Sequence, residues 1–212
     1  LLLGWLPAQE GGSAIASVLF GDVNPAGRLP VTLPRHVGQV PTYYGHKPSG
    51  GRSHWHGNYA DMSASPLYPF GYGLSYTQFE YSNLRLSKYQ ATADDVVQVQ
   101  VSVKNVGKCA GDEVVQLYIA DLVASVTRPV KALKGFKRVH LDVGQTAELT
   151  FELDVRHFGF YNREMRYVVE AGTVEVMIGK SSDDICQSTT FDITETRQVQ
   201  VVYETPVTVH IR

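Results

Sequence analysis

Much of the chain between residues 79 and 193 alternates apolar and polar residues, which is typical of β-strands with one buried face. Residues 97–103 alternate without a fault, and similar segments lie at 79–86, 114–119, 147–153, 167–178 and 189–193. The alternation in 79–86 slips near Asn83. Turn-forming residues separate the segments at 105–107, 143–145, 171–172 and 181–184. Six or seven short strands over about 120 residues predict a β-sandwich of immunoglobulin-like type.

The first 21 residues have a different pattern. Residues 1–5 are a short apolar run that predicts a buried strand, and a glycine-rich turn follows. Ala14, Ile15, Val18 and Leu19 then fall on one helical face, and Gly21 stands where a left-handed C-cap is expected. A parallel sheet needs both faces covered, which about 20 residues cannot supply. We therefore expect this segment to be the end of an α/β domain that begins upstream.

Residues 23–66 show little periodicity. Turn formers dominate 23–41, and within them 29–33 is expected to be one extended edge segment because it contains a proline. Residues 43–66 combine Tyr, His, Trp, Arg and Lys with Gly and Ser. Aromatic residues at this density argue against disorder, so we expect an ordered surface loop, and loops of this length are commonly functional.

Composition and charge exclude several partners. The formal net charge is -2, with 19 Lys+Arg against 21 Asp+Glu, so the electrostatic basis for binding nucleic acid or an anionic membrane is missing. No apolar run approaches the roughly 20 residues that a membrane span needs. Cys109 and Cys186 lack the neighbours of a zinc motif, and we expect two free thiols, with a disulfide as the alternative. No metal site is predicted.

Residues 197–212 contain two further alternating segments, at 199–203 and 207–211, that one sandwich does not require. They are open to three interpretations: an added edge hairpin, a strand that binds a partner, or a remnant of cloning.

Three blocks of sequence resemble the C-terminal part of glycoside hydrolase family 3, the β-glucosidase and β-xylosidase family. The first is WLPAQEGG at 5–12 with VLFGDVNPAGRLP at 18–30, which is similar to the end of the family's α/β sandwich domain. The second is PLYPFGYGLSYT at 66–77. The third comprises VKNVG, GDEVVQLY and PVKALKGF, starting at 103, 111 and 129, and resembles the family's fibronectin type III-like domain. The resemblance covers residues 1–195 and implies a mainly β fold: a fibronectin type III-like sandwich preceded by the C-terminal end of an α/β sandwich domain.

The resemblance also implies a domain division and a mechanism. The expected segments are 1–42 (end of the α/β domain), 43–76 (connecting loop), 77–195 (sandwich) and 196–212 (extension). A retaining glycosidase uses a carboxylate nucleophile and a carboxylic general acid/base, about 5–5.5 Å apart. In this family the nucleophile belongs to an N-terminal barrel and the acid/base to the α/β domain, so both are expected upstream and no catalytic residue is assigned here. Glu10 is interpreted as a residue that caps a helix and complements its dipole, and Asp112 and Glu113 as turn and surface groups.

The loop residues offer chemistry suited to a sugar. Aromatic faces stack on a pyranose, and charged groups bind its hydroxyls. Five residues are therefore candidates for the rim of a substrate pocket, the alternative being a loop that only packs at the domain junction: Arg52, His54, Trp55, His56 and Tyr59.

The predicted function is the C-terminal portion of a retaining β-glycosidase, most simply a β-glucosidase, that needs no cofactor. Its expected partners are a β-linked glycoside and the upstream barrel and α/β domains, and a homodimer is compatible with the resemblance. The family favours an extracellular or periplasmic location. The alternative is a carbohydrate- or protein-binding sandwich without catalysis.

Overall fold

The computed structural model describes residues 1–48, 62–201 and 207–211. Within them twelve strands form two main antiparallel sheets and a small third one: β1 (Phe79–Leu86), β2 (Gln90–Ala91), β3 (Val96–Asn105), β4 (Gly111–Asp121), β5 (Ala132–Leu141), β6 (Thr146–Asp154), β7 (Phe160–Tyr161), β8 (Tyr167–Val169), β9 (Gly172–Gly179), β10 (Ile185–Ile193), β11 (Arg197–Gln198) and β12 (Thr208–Ile211). The mainly β fold that the alternation predicts is confirmed.

The two main sheets pack face to face. The first has the order β1-β3-β6-β12 and the second β2-β10-β9-β4-β5, in which only the short β2 runs parallel to its neighbour. The third sheet, β11-β8-β7, lies beside them. The alternation places one face of each long strand in a shared core between the two main sheets, where Val99, Leu149, Leu117 and Ile178 are fully buried. Burial of aliphatic side chains from both sheets is the main stabilising term.

The slip near Asn83 is a β-bulge. The register of β1 against β3 shifts between Ser82 and Arg85, and Asn83 has a left-handed backbone with φ 57°. Asparagine tolerates this conformation better than most residues.

The C-terminal tail adds an edge strand to the sandwich. β12 pairs antiparallel with β6, and Val207 just before it is buried in the core. A Cβ atom on Gly135 would stand 3.1 Å from Cβ of Val207 and 3.3 Å from the Phe151 ring, so glycine at 135 lets the tail approach closely. Of the interpretations left open for the tail, the added edge hairpin is wrong within the described residues: β12 extends the first sheet by pairing with β6, whereas β11 pairs with β8 in the third sheet.

The N-terminal segment contains one helix, α1 (Gly11–Phe20), which ends at Gly21 in the left-handed conformation as predicted. The strand predicted for residues 1–5 is wrong: these residues form no strand, and the Leu1 side chain is 97% exposed. A strand needs a partner for its backbone groups, and the described chain places none beside it. Residues 29–33 run beside 67–72 and share a single bridge between Leu33 and Tyr68.

Candidate functional site

The five predicted rim residues lie between residues 49 and 61, outside the described residues: Arg52, His54, Trp55, His56 and Tyr59. The chain on both sides of that segment is described and shows how its two ends are attached.

The preceding end is anchored on the outer face of the second sheet by Tyr44. The Tyr44 ring stacks on Phe70, with ring centroids 4.5 Å apart, and meets Tyr118 of β4 edge-on at 5.8 Å. Its hydroxyl accepts a hydrogen bond of 3.2 Å from the backbone N–H of Leu133. Aromatic pairs in these geometries add to the energy of burial. Next to it, the backbone N–H of Val130 donates to the carbonyl oxygen of His46 at 2.9 Å.

The following end is anchored by Gln39, which is 3% exposed and lies in a short 3-10 helix (Val37–Gln39). Its amide nitrogen is 3.0–3.3 Å from the carbonyl oxygens of residues 63, 64 and 65. Its amide oxygen accepts from the backbone N–H of Arg35 at 2.7 Å. Both ends of the segment are therefore held by buried or half-buried groups.

A buried ion pair joins the N-terminal segment to the sandwich. Nη2 of Arg28 lies 2.6 Å from Oε1 of Glu113, and the two side chains are 9% and 3% exposed. Glu113 points inward from β4, so its interpretation as a surface group is wrong. Asp112, the residue before it, points to the opposite face and is half-buried, because neighbouring strand residues alternate between the two faces of a sheet. Asp112 does lie at the surface, where it pairs with Arg138 and His140.

Asn24 forms a second junction contact. Its Oδ1 accepts hydrogen bonds from the Ser75 hydroxyl at 2.9 Å and the Tyr76 backbone N–H at 2.8 Å. Its Nδ2 donates to the carbonyl oxygen of Ala110 at 2.9 Å. Asn24 thus ties the N-terminal segment to residues 75–76 and to the β3–β4 turn.

Gln116 forms the third contact, at the glycine-rich 69–73 motif. Its amide nitrogen donates to the carbonyl oxygens of Gly71 at 3.1 Å and Lys180 at 2.5 Å, and its oxygen accepts from the Tyr118 hydroxyl at 2.6 Å. Gly71 has φ 78°, and a Cβ there would overlap the Gln116 side chain. Burial raises the pKa of Tyr118, which keeps this donor protonated. The glycines were the sequence signal for this close approach.

Each of the two cavities described for this chain is lined by a single carboxylate, Glu148 in one and Asp121 in the other. Burial raises the pKa of Asp121, whose side chain lines a cavity of about 70 Å³ with Arg128, Lys134 and His157, but no second carboxylate lines it. Glu10 stands at the N-cap of α1, the position expected for a capping residue, but its side chain makes no capping hydrogen bond.

No three His, Cys, Asp or Glu residues are placed to hold a metal ion within 1–48, 62–201 and 207–211. A search of the same residues finds no helix that is long and apolar enough to cross a membrane. Cys109 and Cys186 are free thiols.

Two family models match the chain. The glycosyl hydrolase family 3 C-terminal domain matches residues 1–76, and the fibronectin type III-like domain matches residues 113–182. Among similar proteins are a periplasmic β-glucosidase of Salmonella typhimurium, 43% identical over 88% of this chain and 25% of that protein, and a β-xylosidase of Formosa agariphila, 43% identical over 87% and 26%.

Solved structures agree with these matches. The crystal structure of β-glucosidase from Listeria innocua in complex with glucose superposes with a TM-score of 0.82 and 36% identity, covering 90% of this chain and 27% of that one. The chain therefore spans about a quarter of the length of the relatives it matches. It belongs to glycoside hydrolase family 3 and corresponds to the C-terminal part of the family's members.

Proposed function

We propose that this chain is the C-terminal portion of a retaining β-glycosidase that removes terminal β-linked sugars, with glucose as the preferred unit. The similarity to β-glucosidases over 85–92% of the chain carries this proposal. Both catalytic carboxylates belong to the barrel and α/β domains that the family places upstream. In the double displacement, one carboxylate forms a glycosyl-enzyme and the other acts as acid and then as base.

The test compares the full-length protein with this 212-residue chain. The full-length protein should hydrolyse an aryl β-glucoside faster than an aryl β-xyloside, with retention of the anomeric configuration by proton NMR. The chain alone should show no turnover. Inversion of configuration, or turnover by the chain that the Glu10→Gln change abolishes, would contradict the proposal.

We also propose that Arg52, His54, Trp55, His56 and Tyr59 line the rim of the substrate pocket. The attachment of both flanking ends through Tyr44 and Gln39 supports this, because loops that bind ligands are positioned by a rigid scaffold. In the full-length enzyme, Trp55→Ala should raise KM for a cello-oligosaccharide more than it changes kcat for an aryl monoglucoside. Trp5→Ala, at the other tryptophan, is the matched control. Lower thermal stability with unchanged kinetics would instead favour a packing role.

The assembly of the intact protein follows from the same proposal. We expect segments 1–42, 43–76, 77–195 and 196–212 to act as the end of the α/β domain, a connecting loop, the sandwich and an extension. Limited proteolysis tests these boundaries. The homodimer is tested by light scattering of the full-length protein, and the extracellular or periplasmic location, supported by the name of the Salmonella relative, by cell fractionation.

A further inference from the structure

The sandwich has one covered outer face and one open polar face. The N-terminal segment covers the second sheet, where Tyr44 packs against Tyr118. The outer face of the first sheet instead presents polar side chains, and at its centre lies a cleft of about 500 Å³. The cleft is lined by Asn83, Leu84, Arg85, Gln100, Ser102, Glu148 and Thr150.

The β-bulge forms one wall of the cleft and is fixed from the opposite sheet. The backbone N–H of Leu84 donates to Oε1 of Gln187 on β10 at 2.9 Å, and the Gln187 amide nitrogen lies 3.3 Å from the carbonyl oxygen of Tyr81. The bulge directs Asn83 across to β3, where its Nδ2 donates to the Ser102 hydroxyl at 3.0 Å. Bulges commonly redirect side chains beside functional sites.

The floor consists of two rows that run across the strands. Ser102 on β3 stands opposite Glu148 on β6, and Gln100 stands opposite Thr150. Arg85 donates from Nε to the Gln100 amide oxygen at 2.7 Å, which holds the guanidinium over the second row. The two rows lie two residues apart along β3, which is about 7 Å, and the three lining strands β1, β3 and β6 span about 10 Å. These two lengths give the size of the floor. The side chains of Glu148 and Thr150 make no hydrogen bond within the described part of the chain.

This combination of groups favours a neutral, hydroxyl-rich ligand. Amide, hydroxyl, guanidinium and carboxylate groups together offer both donors and acceptors to a sugar. One positive charge from Arg85 and one negative charge from Glu148 balance each other, so the lining does not attract a polyanion. Since no aromatic side chain lines the cleft, stacking is absent and each sugar unit contributes little.

We propose that this cleft binds a neutral β-linked oligosaccharide as a non-catalytic site, with Arg85 and Glu148 as its main contacts. The choice of β-linked sugars rests on the proposed function. The affinity lies in the millimolar range, because polar contacts to sugar hydroxyls only replace contacts to water. It increases with the number of sugar units, because each unit in the cleft adds contacts. Such a site would hold the enzyme against a polysaccharide.

The test is an NMR titration of the 212-residue chain with laminaritetraose, cellotetraose and xylotetraose. Amide signals of residues 82–85, 100–102 and 148–150 should shift and saturate with at least one of them. Arg85→Ala and Glu148→Gln should each weaken binding about tenfold. Glu80→Gln, an exposed carboxylate on the same strand as Arg85 but outside the lining, is the matched control and should bind like the parent. Thermal melting of each variant verifies the fold.

Two results would overturn the site: no saturable shift with any of the three sugars, or unchanged affinity in both cleft variants. Preferred binding of an anionic oligogalacturonate would also exclude the neutral ligand. These results are independent of catalysis, which is measured with the full-length protein. An active full-length enzyme without cleft binding refutes only the cleft, and cleft binding without β-glucosidase activity refutes only the proposed function.

Discussion

The ion pair between Arg28 and Glu113 allows a sharp prediction about how the N-terminal segment is held. The Glu113→Gln change keeps the shape of the side chain and removes the charge that compensates the guanidinium. Arg28 would then retain its contact with the carbonyl oxygen of Gly27 at 3.2 Å, while its Nε is already buried without a hydrogen-bond partner among the described residues. Because the side chains are 9% and 3% exposed, water cannot replace the lost charge.

The expected cost is large. Removing one partner of a buried pair typically destabilises a protein by about 3–5 kcal/mol, which lowers the urea midpoint by about 1–2 M. The measurement is urea unfolding followed by far-UV circular dichroism, with hydrogen exchange of residues 24–33 to show where protection is lost first. Asp112→Asn is the matched control, since this neighbouring carboxylate pairs with an Arg138 side chain that is 65% exposed. It should cost about 1 kcal/mol or less.

Equal shifts of the urea midpoint for Glu113→Gln and Asp112→Asn would contradict a buried, stabilising ion pair. A loss below about 1 kcal/mol for Glu113→Gln would mean that the Arg28 guanidinium reaches water or another partner once the carboxylate is gone, and is not trapped as a buried charge. The double change Arg28→Met with Glu113→Leu separates these cases, because apolar replacement of both partners should recover most of the stability.

Three further predictions concern other parts of the chain. The Lys88 ammonium, 2.5 Å away, and hydrogen bonds from Thr92 lower the pKa of Asp95 from 3.8 to about 2. The stabilising effect of the ionised Asp95 is therefore complete above pH 3.8 and is lost as the pH falls towards 2. The difference in unfolding free energy between the parent and Asp95→Asn should shrink over that window and stay constant above it. Thiol titration of the unfolded, unreduced protein should find two reactive thiols, and finding none would show a disulfide. In the folded protein Cys186 should react slowly at pH 8, because burial raises its pKa to about 11. Val207→Ala should destabilise the chain by about 2 kcal/mol through lost burial, and an unchanged urea midpoint would show that the tail is not part of the sandwich in solution.

The sandwich could be predicted where a strand has one buried and one solvated face. β3 alternates without fault and was predicted almost in full, and the slip at Asn83 was visible as a break in the period. β5 was missed, because Lys134, Gly135 and Lys137 interrupt its apolar pattern. Edge strands commonly carry such residues, since lysine protects an open edge and glycine makes room for a neighbour. The edge strand β1 kept its alternation and was predicted, so it is the interrupted pattern of β5, not its edge position alone, that hid it.

The candidate site shows a similar limit. The sequence indicated the glycine-rich block at 69–73 as a feature of the family, but the reason for Gly71 became evident only from the approach of Gln116. Glu113 and Asp112 are adjacent acidic residues, and the sequence predicts a surface position for both. Glu113 is buried against Arg28, whereas Asp112 is half-buried and pairs with the exposed Arg138.

By itself, the sequence determined what depends on local order: the period of the strands, the left-handed Gly21 that ends α1, the break in the period near Asn83 and the resemblance to family 3. The tertiary structure decided which distant residues meet: Arg28 with Glu113, Gln39 with residues 63–65, Val207 with Gly135, and the polar rows of the cleft. The physical reason is that hydrophobic periodicity follows from neighbours along the chain. Ion pairs, close glycine contacts and cross-strand rows depend on the register between strands that lie far apart in sequence.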